Sequence, residues 1–226
     1  MQMQKTLLGI VLLALGMAFA CANAQAQTEL IITSGTGPGS IFTFPNAGSI
    51  NVASPVLLAD GWVVLLEAGF TNAPALQPQY GLGLFTFFAT CVTDTCEGTP
   101  LAILLTGTGF TQTAAGFQST YGVLAATGST GSTSQTAYLG LTQIGGTIGF
   151  SGPISSPVVS STSGGGPAGP SPYTLSILDI YSANGNPASF ATLGTISATP
   201  EPTSLFLMGS GLLAMGGLLR RRLRSI

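Results

Sequence analysis

Between Lys5 and Arg220 the chain contains no lysine, arginine or histidine. Ahead of the C-terminal tail, the groups left to do chemistry are six carboxylates, Glu29, Asp60, Glu67, Asp94, Glu97 and Asp179, the five tyrosines, and the pair Cys91 and Cys96. Without histidine or lysine, a Ser-His-Asp triad, a Ser-Lys dyad and a Schiff base are excluded by inventory. Gly35-Thr36-Gly37-Pro38-Gly39 lacks the lysine of a phosphate-binding loop and reads as a turn. Two carboxylates flanking a bond could in principle hydrolyse a glycoside. The six acids are scattered one or two per segment, however, and each reads as a solvated turn or strand-face residue. Asp94 and Glu97 beside loop carbonyls could approach calcium, but the Asp-x-Asp-x-Asp spacing of a calcium loop is missing. A zinc site fails for want of histidine and of a second cysteine pair. We therefore expect no catalytic residue, no metal and no cofactor.

Cys91 and Cys96 bracket Val92-Thr93-Asp94-Thr95. In an exported protein that spacing reads as a disulfide across a hairpin, which the chain-entropy treatment values at roughly 2 kcal/mol. The aromatic residues offer a different chemistry, the stacking of sugar rings. Trp62, Tyr80, Tyr121, Tyr138, Tyr173 and Tyr181 are the candidates, although Trp62 and Tyr173 lie on alternating apolar stretches and read as core. An exposed aromatic row on one sheet face would favour carbohydrate binding, and buried aromatics would favour a structural role.

The elements that must position these residues are strands. The roughly 170 residues from 27 to 198 suffice for one domain with a sizeable core. Their apolar content comes in short runs separated by turn residues, the pattern of an all-β domain. Asp60-Gly61 turns the chain into Trp62–Phe70, where Trp62, Val64, Leu66, Ala68 and Phe70 share one face and Glu67 the other. Leu82–Val92, with Phe85, Phe87 and Phe88, reads as a central strand, and Leu101–Thr106 as a short buried one. Ser119–Ala126 and Thr136–Thr142 are weaker candidates. Tyr173, Leu175, Ile177, Asp179 and Tyr181 alternate with Thr174, Ser176, Leu178, Ile180 and Ser182. Asn184-Gly185-Asn186 then predicts a hairpin toward Phe190–Ile196. Val56–Ala59 could hold a single helical turn. Ser160–Pro172, rich in Gly and Pro, is expected to be a flexible surface excursion outside any ladder, the alternative being an adhesive or O-glycosylated loop. No Asn-x-Ser/Thr sequon occurs. Antiparallel strands at this spacing favour a β-sandwich of jelly-roll type.

Both ends carry targeting features. Lys5, the apolar stretch Leu7–Ala20 and the small residues of Ala22-Asn23-Ala24 or Ala24-Gln25-Ala26 compose a secretory signal peptide over residues 1–26, read by the Sec machinery and signal peptidase. Lipoprotein processing at Cys21 is a rival, poorly served by Ala18 and Phe19. At the other end Pro200-Glu201-Pro202 precedes an apolar run from Leu205 to Leu219, which is followed by Arg220, Arg221, Arg222 and Arg224. As a helix that run spans roughly 22 Å, short of a hydrocarbon core of about 30 Å but able to cross if the arginines snorkel. Arginine beside a hydrophobic segment stays on the cytoplasmic side, so the body would lie outside the cytoplasm. Ser210 and Ala214, four apart, could admit a partner helix.

A Pro-Glu-Pro tripeptide, a short Gly-interrupted apolar segment and an arginine cluster, in that order, resemble the PEP-CTERM sorting signal of Gram-negative bacteria. The resemblance covers Thr199–Ile226, with Leu223 interrupting the arginines. It implies handling by an exosortase, a membrane-embedded transpeptidase-like enzyme acting near the tripeptide on the exported side. Pro200, Glu201 and Pro202 would then be the recognition element and the arginines the stop-transfer signal. An ordinary single-pass anchor on a periplasmic protein is the alternative.

The organisation we expect is a signal peptide (1–26), an exported β domain (27–198) and a sorting tail (199–226). The chain would sit transiently in the inner membrane by its C-terminal helix and end at the cell surface or in the extracellular matrix. A domain whose charges are all negative is a poor partner for nucleic acid or acidic lipid. The role expected is structural and biofilm-associated, or else that of a carbohydrate-binding or adhesive module, with extracellular polysaccharide or further copies of the chain as partners. Lacking lysines to guard its outer strands, the domain is expected to self-associate in high salt.

Overall fold

A computed structural model describes residues 27–35, 39–44, 48–52, 54–71, 81–111, 114, 116–127, 131–154, 156–164, 172–185, 187–199, 210 and 213. The chain forms strands β1 (Thr28–Ser34), β2 (Ser40–Phe44), β3 (Gly48–Ile50), β4 (Val56–Leu57), β5 (Trp62–Thr71), β6 (Leu82–Cys91) and β7 (Leu101–Phe110). They are followed by β8 (Gly116–Thr127), β9 (Gly131–Leu139), β10 (Thr142–Gln143), β11 (Ile148–Ser151), β12 (Val158–Gly164), β13 (Tyr173–Ala183) and β14 (Ala188–Thr199). One 3-10 turn, Asp94–Cys96, lies between β6 and β7. The expected all-β architecture is what forms: two antiparallel seven-stranded sheets packed as a sandwich.

The first sheet runs β10-β9-β13-β7-β1-β2, with β11 also on β9. The second runs β12-β8-β14-β6-β5-β3, with β4 also on β5. The expected strands fall where the alternation puts them, and β6 is flanked by β5 and β14. Along β5, Trp62, Val64 and Leu66 are buried. Along β13 the face of Tyr173, Leu175, Ile177, Asp179 and Tyr181 turns inward, each at most 8% exposed. Phe87 and Phe190 meet Tyr181 across the core, at 5.7 and 5.6 Å, while Phe110 stacks on Tyr173 at 5.7 Å within the first sheet and Phe190 meets Trp62 within the second. Such pairs add about 0.5–1.5 kcal/mol each beyond the area they bury.

Strand β7 outruns the apolar stretch that predicted it, continuing through Gly107 to Phe110. Gly109, at φ 81°, takes up the register shift against Tyr173 and Leu175, a bulge that a left-handed glycine makes without steric cost. The segment Val56–Ala59 is a two-residue strand and a turn rather than a helical turn, because Val56 and Leu57 pair with Val64 and Val63. Ser160–Gly164, expected to lie outside any ladder, belongs to β12 and pairs with Phe117–Tyr121. Ser and Thr backbones hydrogen-bond as well as any others once a neighbouring strand offers its edge. The remainder of that segment, 165–171, lies outside the described residues.

Two expected hairpins are crossings between sheets. β13 pairs with β7 and β9, β14 with β6 and β8, so the turn at Asn184-Gly185 carries the chain across the core. The Cys91–Cys96 disulfide forms, but it staples the arch from β6 in one sheet to β7 in the other. A tight turn reverses the chain in either case, and which sheet the second strand joins depends on partners distant in sequence.

Among the described residues no helix is long and apolar enough to cross a membrane. The expected membrane segment Leu205–Leu219 lies outside them apart from Ser210 and Leu213, which are helical and exposed. The N-terminal segment 1–26, Pro200, Glu201, Pro202, Arg220, Arg221, Arg222 and Arg224 also lie outside the described residues.

Candidate functional site

The sequence-predicted residues separate into three places. The tail begins where β14 ends, at Thr199. Cys91 and Cys96 sit at one end of the sandwich, against the turn before β5. There the Thr95 hydroxyl donates to the Asp60 carbonyl at 2.8 Å, Val92 N–H to the Gly61 carbonyl at 3.1 Å, and the Trp62 indole N–H to the Thr99 carbonyl at 2.9 Å. The Ser34 hydroxyl donates to Asp60 Oδ1 at 2.6 Å, tying β1 to the same end. Asp94 and Glu97 are exposed beside it. Among the described residues no group of three potential metal ligands forms.

The third place is the interior, and it holds what the pattern did not reveal. Asp179, expected in solvent, is 1% exposed between the sheets. β9 contributes Thr133 and Gln135, β8 contributes Ser119 and Tyr121, β13 contributes Asp179 and Tyr181, and β14 contributes Thr192, all buried. Gln135 Nε2 donates to Ser119 Oγ at 2.8 Å and to the Thr120 carbonyl at 3.2 Å, joining one sheet to the other. The Tyr121 hydroxyl bonds Thr133 Oγ1, again across the sheets. The Tyr181 hydroxyl lies 2.6 Å from Thr192 Oγ1 and donates to Asp179 Oδ2 at 3.5 Å. The two sheets are thus joined by a band of hydrogen bonds inside an otherwise apolar core.

Two acceptors in this band lack partners among the described residues, Asp179 Oδ1 and Gln135 Oε1. The same two residues are register partners across β13 and β9. Side chains so placed stand about 5 Å apart at Cβ. Protonation turns Asp179 Oδ1 from an unpartnered acceptor into a donor. No cationic side chain exists among the described residues to hold the carboxylate charged, and an unpaired buried charge is far costlier than a protonated acid. Burial accordingly pushes the Asp179 carboxyl up to about 8, the Tyr181 bond opposing. Burial raises the Tyr121 and Tyr181 phenols too, with the Asp179 charge adding to both. The raised carboxyl favours the neutral acid, sealed from solvent, while the bonds of Gln135, Tyr121 and Tyr181 around it join the sheets.

Among the described residues the candidate sugar-stacking rings form no exposed row. Trp62, Tyr121 and Tyr181 are 0% exposed and Tyr173 8%, its phenol raised to about 12 by burial. Tyr138 is half-buried against Ile31, Ala102, Leu104 and Leu178 on the outer face of the first sheet. Tyr80 lies outside the described residues. The one sequence signal for the interior band was Asp179's place in register with Tyr173, Leu175, Ile177 and Tyr181. Nothing in the Ser/Thr-rich β9 distinguished Thr133 and Gln135 from their outward neighbours.

Residues 198–222 match the PEP-CTERM protein-sorting motif. The match contains Pro200, Glu201, Pro202 and Arg220–Arg222, and it confirms the resemblance drawn from the tail. That motif implies an exported protein of Gram-negative bacteria, processed by an exosortase-type enzyme. No curated protein matches the chain in sequence. Among solved structures it is similar to TmCBM61 in complex with β-1,4-galactotriose, at 7% identity and TM-score 0.32, over 64% of this chain and 87% of that one. It is also similar to the enzymatically active domain of tailspike protein 4 of bacteriophage CBA120, at 11% identity and TM-score 0.35, over 68% of this chain and 19% of that one. Similarity this distant says nothing of what this chain binds.

Proposed function

We propose that this chain is a structural protein of the cell surface or extracellular matrix, biofilm-associated, whose β-sandwich is delivered by exosortase-type processing of its C-terminal tail. The observation that carries this reading is the junction: the sorting motif begins at residue 198 and β14 ends at Thr199. A cut at or just after Pro200-Glu201-Pro202 would release the sandwich with its ladder whole, although β14 lies inside the second sheet. Before the cut, the apolar segment and its arginines would hold the precursor in the inner membrane.

We read the domain as non-enzymatic and without a cofactor, for want of a nucleophile with a base or a lysine to activate it. The burial of Trp62, Tyr121, Tyr173 and Tyr181 favours the structural role over the carbohydrate-binding alternative. The test is the mass and C-terminal sequence of the protein recovered from its own cells, fractionated into inner membrane, surface and medium. A C-terminus between residues 199 and 203 in the surface or medium fraction is expected. An intact chain ending at Ile226 in the inner membrane would overturn the reading in favour of a permanently anchored periplasmic protein.

A further inference from the structure

Charge is segregated across the sandwich. No charged residue occurs from Gly98 to Leu178, a stretch that includes all of β8 to β12. In the sheet orders these strands form one flank: β12 and β8 end the second sheet, and β10, β11 and β9 end the first. The two sheet ends meet there, where Gly146 N–H donates to Thr162 Oγ1 at 3.0 Å. The other acids of the domain lie elsewhere, Glu29 on β1, Glu67 on β5, and Asp60, Asp94 and Glu97 at the disulfide end.

The neutral flank is also open. β12 pairs with β8 and with no other strand among the described residues, so alternate backbone N–H and C=O groups along its outer side face away from the sheet. Val158 and Val159 on it are 40% and 57% exposed. Seven uncharged residues, Val-Val-Ser-Ser-Thr-Ser-Gly, carry no lysine, proline or acid to block a strand from adding.

We propose that β12 is a homotypic docking edge, on which a second copy of this chain adds its own β12 antiparallel, joining two sheets into one. The inference rests on the matrix reading and names its partner. The edges of the opposite flank, β2, β3 and β4, are also uncharged, but each lies beside a strand that carries an acid, Glu29 on β1 or Glu67 on β5, so copies meeting there bring like charges near one another. At the β12 flank they meet none, exclude water from Val159, and pair the backbone groups that β12 leaves outward. An antiparallel strand pair is its own symmetry mate, so the contact is isologous and closes at two copies.

Single cysteines placed in turn at positions 158–163 of the full-length, exported chain test this. Residues facing one another in an antiparallel pair have Cα atoms about 4.5–5.5 Å apart, within disulfide range. Whatever the register, one or two positions such as Ser161→Cys should give a disulfide-linked dimer on non-reducing gels. Leu57→Cys, 71% exposed on the opposite flank, should not. Adding Val159→Lys to the cross-linking variant should cut the dimer yield several-fold. Cross-linking at none of the six positions above the Leu57→Cys control overturns the docking edge, as does a yield that Val159→Lys leaves unchanged. The same gels report processing: if the chain is trimmed and reaches the surface without cross-linking, the edge fails and the matrix reading stands. An untrimmed chain in the inner membrane overturns the matrix reading itself.

Discussion

Replacing Asp179 with asparagine should flatten the pH dependence of stability near neutrality. In the unfolded chain this carboxyl titrates at its ordinary 3.8, and in the fold at about 8. Between those values the folded protein holds a proton that the unfolded chain has released. The group's favourable contribution is therefore complete below pH 4, declines as pH rises, and is gone above pH 8. At 1.36 kcal/mol per unit, the gap of about four units amounts to roughly 6 kcal/mol across that range. This is a large part of the roughly 5–15 kcal/mol by which domains are stable. The carboxamide of an Asp179→Asn variant cannot ionise. Trp62, the single tryptophan and wholly buried, reports unfolding. Urea titrations of the exported protein followed by its fluorescence should show the wild-type midpoint falling steadily from pH 4 to pH 8. The Asp179→Asn variant should lose much less over that interval and overtake wild type at the alkaline end. Carboxylates common to both proteins cancel in the comparison. Parallel profiles for the two proteins, or a wild type more stable at pH 8 than at pH 5, would refute the neutral-acid assignment.

Four further outcomes follow from the same geometry. Gly194→Ala should cost roughly 1–3 kcal/mol, because the new Cβ would fall against Gln135 Oε1, far inside contact distance; denaturation of Gly194→Ala with and without Gln135→Ala should show strong coupling between the two sites. Tyr181→Phe removes the hydroxyl shared by Thr192 and Asp179 and should cost about 1–3 kcal/mol, read from the same urea midpoints. Cys91→Ser with Cys96→Ser should lower stability by about 2 kcal/mol while leaving the far-UV signature of the sheets intact. Replacing Pro200-Glu201-Pro202 by three alanines should leave the chain full length in the inner membrane, as immunoblots of fractionated cells would show.

The strands were legible because one face of each is buried: the period-2 pattern of Trp62, Val64 and Leu66, or of Tyr173, Leu175 and Ile177, is visible without the fold. β12 was not legible. Val158–Gly164 buries none of its residues fully, and its strand conformation comes from pairing with β8. The band of Ser119, Tyr121, Thr133, Gln135, Asp179 and Thr192 was hidden for a related reason. Its members are far apart along the chain, and each is an ordinary strand residue until two sheets close over it.

What the sequence by itself determined is therefore everything local: an all-β body, the positions of its better strands, the spacing of Cys91 and Cys96, and a sorting tail read from contiguous residues. Only the tertiary structure decided the rest. It set which turns cross between sheets, as at Asn184-Gly185 and at the disulfide, because a tight turn has the same local chemistry whether the next strand joins its own sheet or the opposite one. It also raised the Asp179 carboxyl above its ordinary value. A carboxyl's protonation depends on the water and charges around it, and those were fixed when β8, β9, β13 and β14 packed together with no cation among them.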